Sequence, residues 1–309
     1  MPSLTLSRIV IIVVVLLVVA AFFLWTPDED RAALEAKYLA SPADLIEVAG
    51  MRLDVRDSGP KDAPAVILLH GFGSSLLTWE AWVPGLATRH RVVRFDLPGS
   101  GLSDPDPTGD YTDERSMAVL IALMDRLGIG RATVFGNSMG GRIAWTFAAA
   151  HPERVDKLVL ISPDGFASPG FEYGRTPKVG VTAQAMRFVL PKQLVKMSLA
   201  PAYADPKAMT DERLDRYYDL LRAPGARKSM IARMEQSIRF DPVGRLQTIR
   251  APTLILWGEE DRVIPFTNAA DYGKAIPGAE LAALPGVGHL PQEEAPARSL
   301  EAVTRFLDR

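Results

Sequence analysis

Short, near-continuous apolar runs alternate with amphipathic stretches along most of this chain. Val66–Leu69, Val92–Phe95, Thr133–Phe135, Leu158–Ile161 and Thr253–Trp257 have strand length and little polar interruption, the pattern of strands buried on both faces. Leu45–Val48 and Met51–Val55 flank Gly50 and read as a hairpin. Between these runs, Ser75–Thr88, Thr112–Leu127, Met139–Ala150 and Glu293–Leu307 carry helical patterning. Buried strands alternating with helices predict an α/β fold built on a doubly wound, mostly parallel sheet. Chemistry in such sheets sits in the loops at the carboxyl ends of the strands.

Two regions depart from this rhythm. From Phe166 to Arg250 there is no buried-strand pattern, and Pro169, Pro191, Pro201, Pro206 and Pro224 interrupt helical stretches. The segment is expected to be a helical cap, inserted between two strands of the sheet. At the other extreme, Ile9 to Trp25 is an unbroken apolar run of 17 residues. At ~1.5 Å per residue such a helix spans roughly 26 Å, close to a ~30 Å hydrocarbon core. The run exceeds the ~7–15 residues of a signal-peptide core, and no small-x-small cleavage site follows it. It is expected to be an uncleaved transmembrane anchor with Trp25 at the interface. Arg8 lies before it, which places the N-terminus inside and the remainder on the extracytoplasmic side. The predicted organisation is a stub (1–8), an anchor (9–25), a helical spacer (26–42), a core formed by 43–165 with 251–309, and a cap (166–250).

Composition narrows the chemistry. The chain has 309 residues and a net charge of −2, without the concentrated basic surface that nucleic acid requires. It contains no cysteine, which removes disulfides, thiolate metal sites and a cysteine nucleophile. No cofactor or metal motif is evident. Only four histidines are present: His70, His90, His151 and His289.

Gly136-Asn137-Ser138-Met139-Gly140 matches G-x-S-x-G between a predicted strand and a predicted helix. There the glycines permit a sharp turn that projects the Ser138 hydroxyl above the sheet. A serine hydroxyl needs a base to take its proton, and the base needs an orienting carboxylate. In this fold the order is serine, acid, histidine, which leaves His151 and His289. His151 closes the helix that starts at the elbow, and that helix carries it roughly 18 Å away at ~1.5 Å per residue. His289, in the strand-end loop Gly286–Leu290, is therefore the candidate base. His70 and His90 read as structural and surface residues. Asp261 is the favoured acid because its loop follows the strand preceding the histidine's own. Glu259 and Glu260 are rivals by type, and Asp164 is a stronger one because it also follows a strand. His70-Gly71-Phe72-Gly73 supplies the early loop whose Phe72 N–H, with that of Met139, would stabilise a tetrahedral oxyanion.

Taken together, these segments resemble the α/β-hydrolase superfamily over residues 43–165 and 251–309. The matching pieces are His70–Gly73, Asp96-Leu97-Pro98-Gly99-Ser100-Gly101-Leu102-Ser103, Gly136–Gly141, Gly258–Pro265 and Gly288-His289. The resemblance implies a Ser-Asp-His hydrolase. Two branches look similar. Membrane-anchored monoacylglycerol lipases and related bacterial lipases share the N-terminal anchor and the Ser-Met-Gly-Gly elbow. Carbon–carbon hydrolases of aromatic ring cleavage share Gly-Asn-Ser-Met-Gly-Gly, but usually carry Gly-Pro-Gly where this chain has Gly73-Ser74-Ser75. The first branch implies a carboxylesterase or lipase acting on a lipid-like ester. Ser138 argues against the dehalogenases and epoxide hydrolases, which use aspartate.

The cap changes the picture once more. Residues 166–250 hold 15 Lys and Arg against 8 Asp and Glu, a basic lid on an acidic body. Five methionines, Met186, Met197, Met209, Met230 and Met234, lie within it. Methionine suits adaptable apolar surfaces, and two readings stand side by side: solvated helices over an ordinary Met-containing core, or a lid that leans on anionic lipid headgroups with an apolar inner face for acyl chains.

Overall fold

The computed structural model describes residues 11, 12, 15, 25–167 and 172–309. The expected anchor therefore falls almost wholly outside the described residues. Among those described, no helix is long and apolar enough to cross a membrane.

The first full element is helix α1 (Arg31–Tyr38), capped by Asp30, whose side chain accepts from the Ala33 N–H. It lies in the segment expected as a helical spacer. Leu34 is buried with Leu102, Leu220, Ala223 and Ala226, so α1 is packed against both core and cap. Truncating Leu34 to alanine would cost about 2–5 kcal/mol.

One eight-stranded sheet follows, in the order β1-β2-β4-β3-β5-β6-β7-β8. The hairpin forms as expected: β1 (Leu45–Val48) pairs antiparallel with β2 (Met51–Ser58). Ala49 and Gly50 both take positive φ at the turn, which matches the right-handed twist of the flanking strands. β2 is antiparallel to β4 (Arg91–Phe95). All further pairs are parallel: β3 (Ala65–Leu69), β5 (Ala132–Asn137), β6 (Val155–Ile161), β7 (Thr253–Gly258) and β8 (Glu280–Leu284). The apolar runs become these parallel strands because helices cover both faces of the sheet. One face packs Ile67, Val134 and Leu160 into a cluster with Val119, Leu123, Ile143 and Phe147. The other packs Val66, Phe135 and Val159 with Trp79, Trp82 and Val303.

Helices α2 (Asp113–Arg126) and α3 (Met139–Ala150) cover the first face. Two expected helices are broken. Ser75–Thr88 is a 3-10 turn at Leu76–Trp79 followed by one α turn at Val83–Leu86, where Trp79 and Trp82 are driven fully under the sheet. Glu293–Leu307 divides at Pro296, which has no N–H to continue a helix. Pro291–Glu294 ends there and a new helix begins.

The cap lies between β6 and β7, as expected. It contains α4 (Lys192–Leu199), α5 (Asp211–Leu221) and α6 (Ala226–Gln236). The prolines open or separate its helices: Pro191 caps α4, and Pro201 and Pro206 start 3-10 turns. The chain returns to the core through β7, α7 (Thr267–Ala275), β8 and α8 (Pro296–Leu307). Cap and core meet around Glu293. This buried carboxylate accepts from Tyr203 Oη (2.6 Å), Arg216 Nη2 (2.6 Å) and Tyr217 Oη (3.1 Å). Burial and the neighbouring carboxylate push the Tyr217 phenol up to about 12, so it stays a donor.

Candidate active site

β3 has β4 on one side and β5 on the other. The strand order reverses there, which opens a crevice at the carboxyl ends. The loops after β3 and β5 face each other across it, and the loops after β7 and β8 complete the rim.

Ser138 ends β5 and starts α3. Its backbone takes φ 55° and ψ −120°, an uncommon conformation for a residue with a side chain. The flanking glycines are required by space. A Cβ on Gly136 would lie 2.2 Å from Gly140 O, and one on Gly140 would lie 2.3 Å from Leu69 O. Close approach of the α3 N-terminus to β3 holds the turn, and the strained serine is carried by that packing.

His289 stands in the loop after β8 and Asp261 in the loop after β7. Their side chains meet: His289 Nδ1 lies 2.7 Å from Asp261 Oδ2, with the side chains 6% and 0% exposed. Asp261 Oδ1 accepts from the N–H groups of Val263 (2.8 Å) and Ile264 (2.9 Å). With Nδ1–H directed at the carboxylate, Nε2 is left as the acceptor nitrogen. The loop is pinned from two sides. His289 N–H donates to Ala202 O of the cap (2.8 Å), and Asn137 Nδ2 donates to His289 O (3.1 Å) and to Ile161 O (3.1 Å). Asn137 thus ties the residue before Ser138 to the histidine loop. The elbow motif leaves that position free, so nothing in the motif marked its role.

The rival acid is elsewhere engaged. Asp164 forks with Arg239 at 2.9 and 3.1 Å, and Arg142 Nε lies 3.7 Å away. It does not contact His289. Glu259 and Glu260 are exposed. His151 is half-buried at the far end of α3, against Phe147.

Phe72 and Met139 line the cavity with Ser138. Among the described residues, neither N–H donates to a protein acceptor. His70 fixes the loop that carries Phe72: its Nδ1–H donates to Gly71 O (2.8 Å) and its Nε2 accepts from Leu97 N–H (3.0 Å). Complete burial pushes its pKa down to about 4, so it is neutral and structural, as expected. The cavity holds about 390 Å³ and is walled mainly by apolar side chains such as Phe166, Met234, Val263 and Ile264. Arg142 and Arg233 line it as well. The sequence reading passed over both, although Arg142 is four residues from Ser138 on one helix and so shares its face. Among the described residues, no acidic, histidine or cysteine cluster could hold a metal ion.

A strained elbow serine, a carboxylate-bound histidine and a roofed crevice at a switch point define an enzyme of the hydrolase class on an α/β scaffold. The family model for the alpha/beta hydrolase fold matches residues 64–296, and the chain belongs to that family. Among curated relatives, the 2-hydroxy-6-oxo-6-phenylhexa-2,4-dienoate hydrolase of Burkholderia cepacia is 31% identical over 255 residues, covering 80% of this chain and 88% of the relative. Among solved structures, a membrane phospholipase A described as a bacterial virulence factor superposes with a TM-score of 0.75 at 25% identity, covering 98% of both chains. A meta-cleavage product hydrolase from Pseudomonas fluorescens superposes with a TM-score of 0.74 at 26% identity, covering 86% of this chain and 98% of that one.

Proposed function

We propose that this hydrolase cleaves carboxylic esters with an apolar acyl chain through an acyl-enzyme on Ser138. The observation that carries the reading is the buried Asp261–His289 hydrogen bond beside the strained Ser138 elbow. His289 Nε2 takes the Ser138 proton as Oγ attacks the ester carbonyl. The tetrahedral oxyanion forms against the Phe72 and Met139 N–H groups. His289 then protonates the departing alcohol, and water, deprotonated by the same nitrogen, releases the acid. Asp261 holds the imidazole in the tautomer this requires and offsets its charge once protonated. The apolar cavity wall, with Met234 of the cap, suits an acyl chain.

The membrane belongs to the same proposal. Residues 9–25 would anchor the chain, with the catalytic domain on the extracytoplasmic side. Phe188, Leu194 and Met197 are exposed on the cap close to Lys192 and Lys196, and Trp25 stacks on Phe188 at 5.7 Å. An apolar and basic face beside the anchor suits a lipid surface.

A second reading is carbon–carbon hydrolysis of a ring-cleavage diketone, favoured by the identity to the Burkholderia hydrolase and by the shared Gly-Asn-Ser-Met-Gly-Gly elbow. A panel of p-nitrophenyl esters of graded length, run beside a ring-cleavage dienoate, separates the two. Ester turnover rising with chain length is expected. Dienoate cleavage without ester turnover would replace the first reading by the second. A fluorophosphonate probe that fails to label the folded protein at Ser138 would end both.

A further inference from the structure

Arg233 is 5% exposed and lines the cavity with Ser138. Its Nη2 donates to Pro98 O (3.1 Å), and its guanidinium lies over the Tyr111 ring at 5.0 Å. Among the described residues it forms no ion pair, and Asp113 and Asp106 act on it only at longer range. Burial pushes its pKa down to about 10, so it is still charged at neutral pH. A buried charge without a direct ion pair is costly to a fold, and one on a substrate cavity points to a ligand.

Its surroundings add to the imbalance. Arg142, Lys178, Arg233 and Arg239 line the cavity against a single acid, Asp164, which Arg239 already holds. Arg142 reaches Asp113 at 3.2 Å, yet its Nε and Nη1 have no hydrogen-bond partner. We propose that Arg233, with Arg142 and Lys178 of the same cavity lining, forms an anion subsite, and that the ester cleaved there is an anionic amphiphile carrying a carboxylate or a phosphate. The apolar wall takes the chain and the guanidinium takes the anion, in the planar two-pronged geometry that both groups match. The substrate assignment rests on Ser138 as nucleophile; the subsite itself does not.

Binding to the full-length Ser138→Ala protein tests it without turnover. Octanoate, octyl phosphate and octanol are titrated by calorimetry. The anions are expected to bind at least about tenfold tighter than the alcohol, as for a hydrogen bond to a charged group. Preference for octanoate alone identifies a carboxylate substrate, preference for octyl phosphate alone a phosphate ester, and preference for both a general anion site. Arg233→Gln in the same background should bring the ratio close to one, while Arg233→Lys should retain part of it. Equal binding of anions and alcohol overturns the subsite. So does a preference that survives Arg233→Gln. If Arg233→Gln does not fold, the ratio in the Ser138→Ala protein still decides. A Ser138→Ala protein that hydrolyses esters would overturn the proposed nucleophile and leave the subsite standing.

Discussion

The loops after β6 and β7 offer the same residue type at the same offset. Asp164 lies three residues beyond Ile161, and Asp261 three beyond Gly258, on adjacent parallel strands. Their environments differ. Asp261 is held by its own loop: the next turn folds the Val263 and Ile264 N–H groups back onto one carboxylate oxygen and leaves the other for His289. Asp164 is followed by Gly165 and the start of the cap, and its carboxylate is taken by Arg239. Its backbone C=O accepts from Trp145 Nε1 (3.0 Å) and Tyr272 Oη (2.9 Å). The strand end supplies a carboxylate at the rim, and the residues that follow decide what it binds. In one loop the carboxylate holds a histidine; in the other it fastens the cap to the core.

That contrast has meaning only if Ser138 is the nucleophile. Ser138→Ala should lower kcat on a short p-nitrophenyl ester by on the order of 10⁶, with the circular dichroism spectrum unchanged. Turnover near the wild-type rate in the folded variant would remove the frame of the comparison. Asp261→Asn should lower kcat by about 10⁴ through loss of the correct imidazole tautomer. Equal losses from Asp261→Asn and Asp164→Asn would erase the distinction between the two loops.

His70 is neutral in the fold, and its pKa of about 4 lies below the ordinary 6.5. The unfolded chain therefore binds the proton first as pH falls, so His70's contribution is complete above pH 6.5 and is lost between 6.5 and 4. The loss is about 3 kcal/mol, read as the part of the urea midpoint's pH dependence that His70→Asn removes, because the raised carboxyls of Asp54 and Asp96 act in the opposite direction. The same pH dependence in wild type and His70→Asn would contradict the buried neutral imidazole.

The smallest effect belongs to the β6 loop. Asp164→Asn keeps hydrogen-bond acceptance but removes the charge opposite Arg239, which should cost about 1–3 kcal/mol of stability. kcat should change by less than about tenfold. A thermal melt beside a kinetic assay distinguishes this from a catalytic role.

The parallel strands and the elbow were readable because each rests on local signals: an uninterrupted apolar run marks a strand covered on both faces, and two glycines around a serine mark a turn with no room for Cβ. Asp261 could be favoured over Asp164 only by its place relative to the histidine strand, because both occupy strand ends. The partner that occupies Asp164, Arg239, is 75 residues further along the chain. The Asn137 bridge to His289 spans 152 residues and leaves no local trace. The broken helix near Pro296 was a failure of a different kind: periodicity continued through the proline while the hydrogen-bond ladder could not.

The segment leaving residue 25 bonds first to the cap. Thr26 N–H donates to Phe188 O (2.8 Å), Leu190 N–H to Thr26 Oγ1 (3.0 Å), and Arg227 to Thr26 O (2.7 Å) and Asp28 (2.5 Å). Arg222 adds bonds to Pro27 O (3.2 Å) and Glu29 (2.8 Å). Arg31 then reaches Leu102 O (2.7 Å) and Asp104 (3.2 Å) of the core, so residues 26–31 form a strap that stitches the roof of the cavity to the loop after β4.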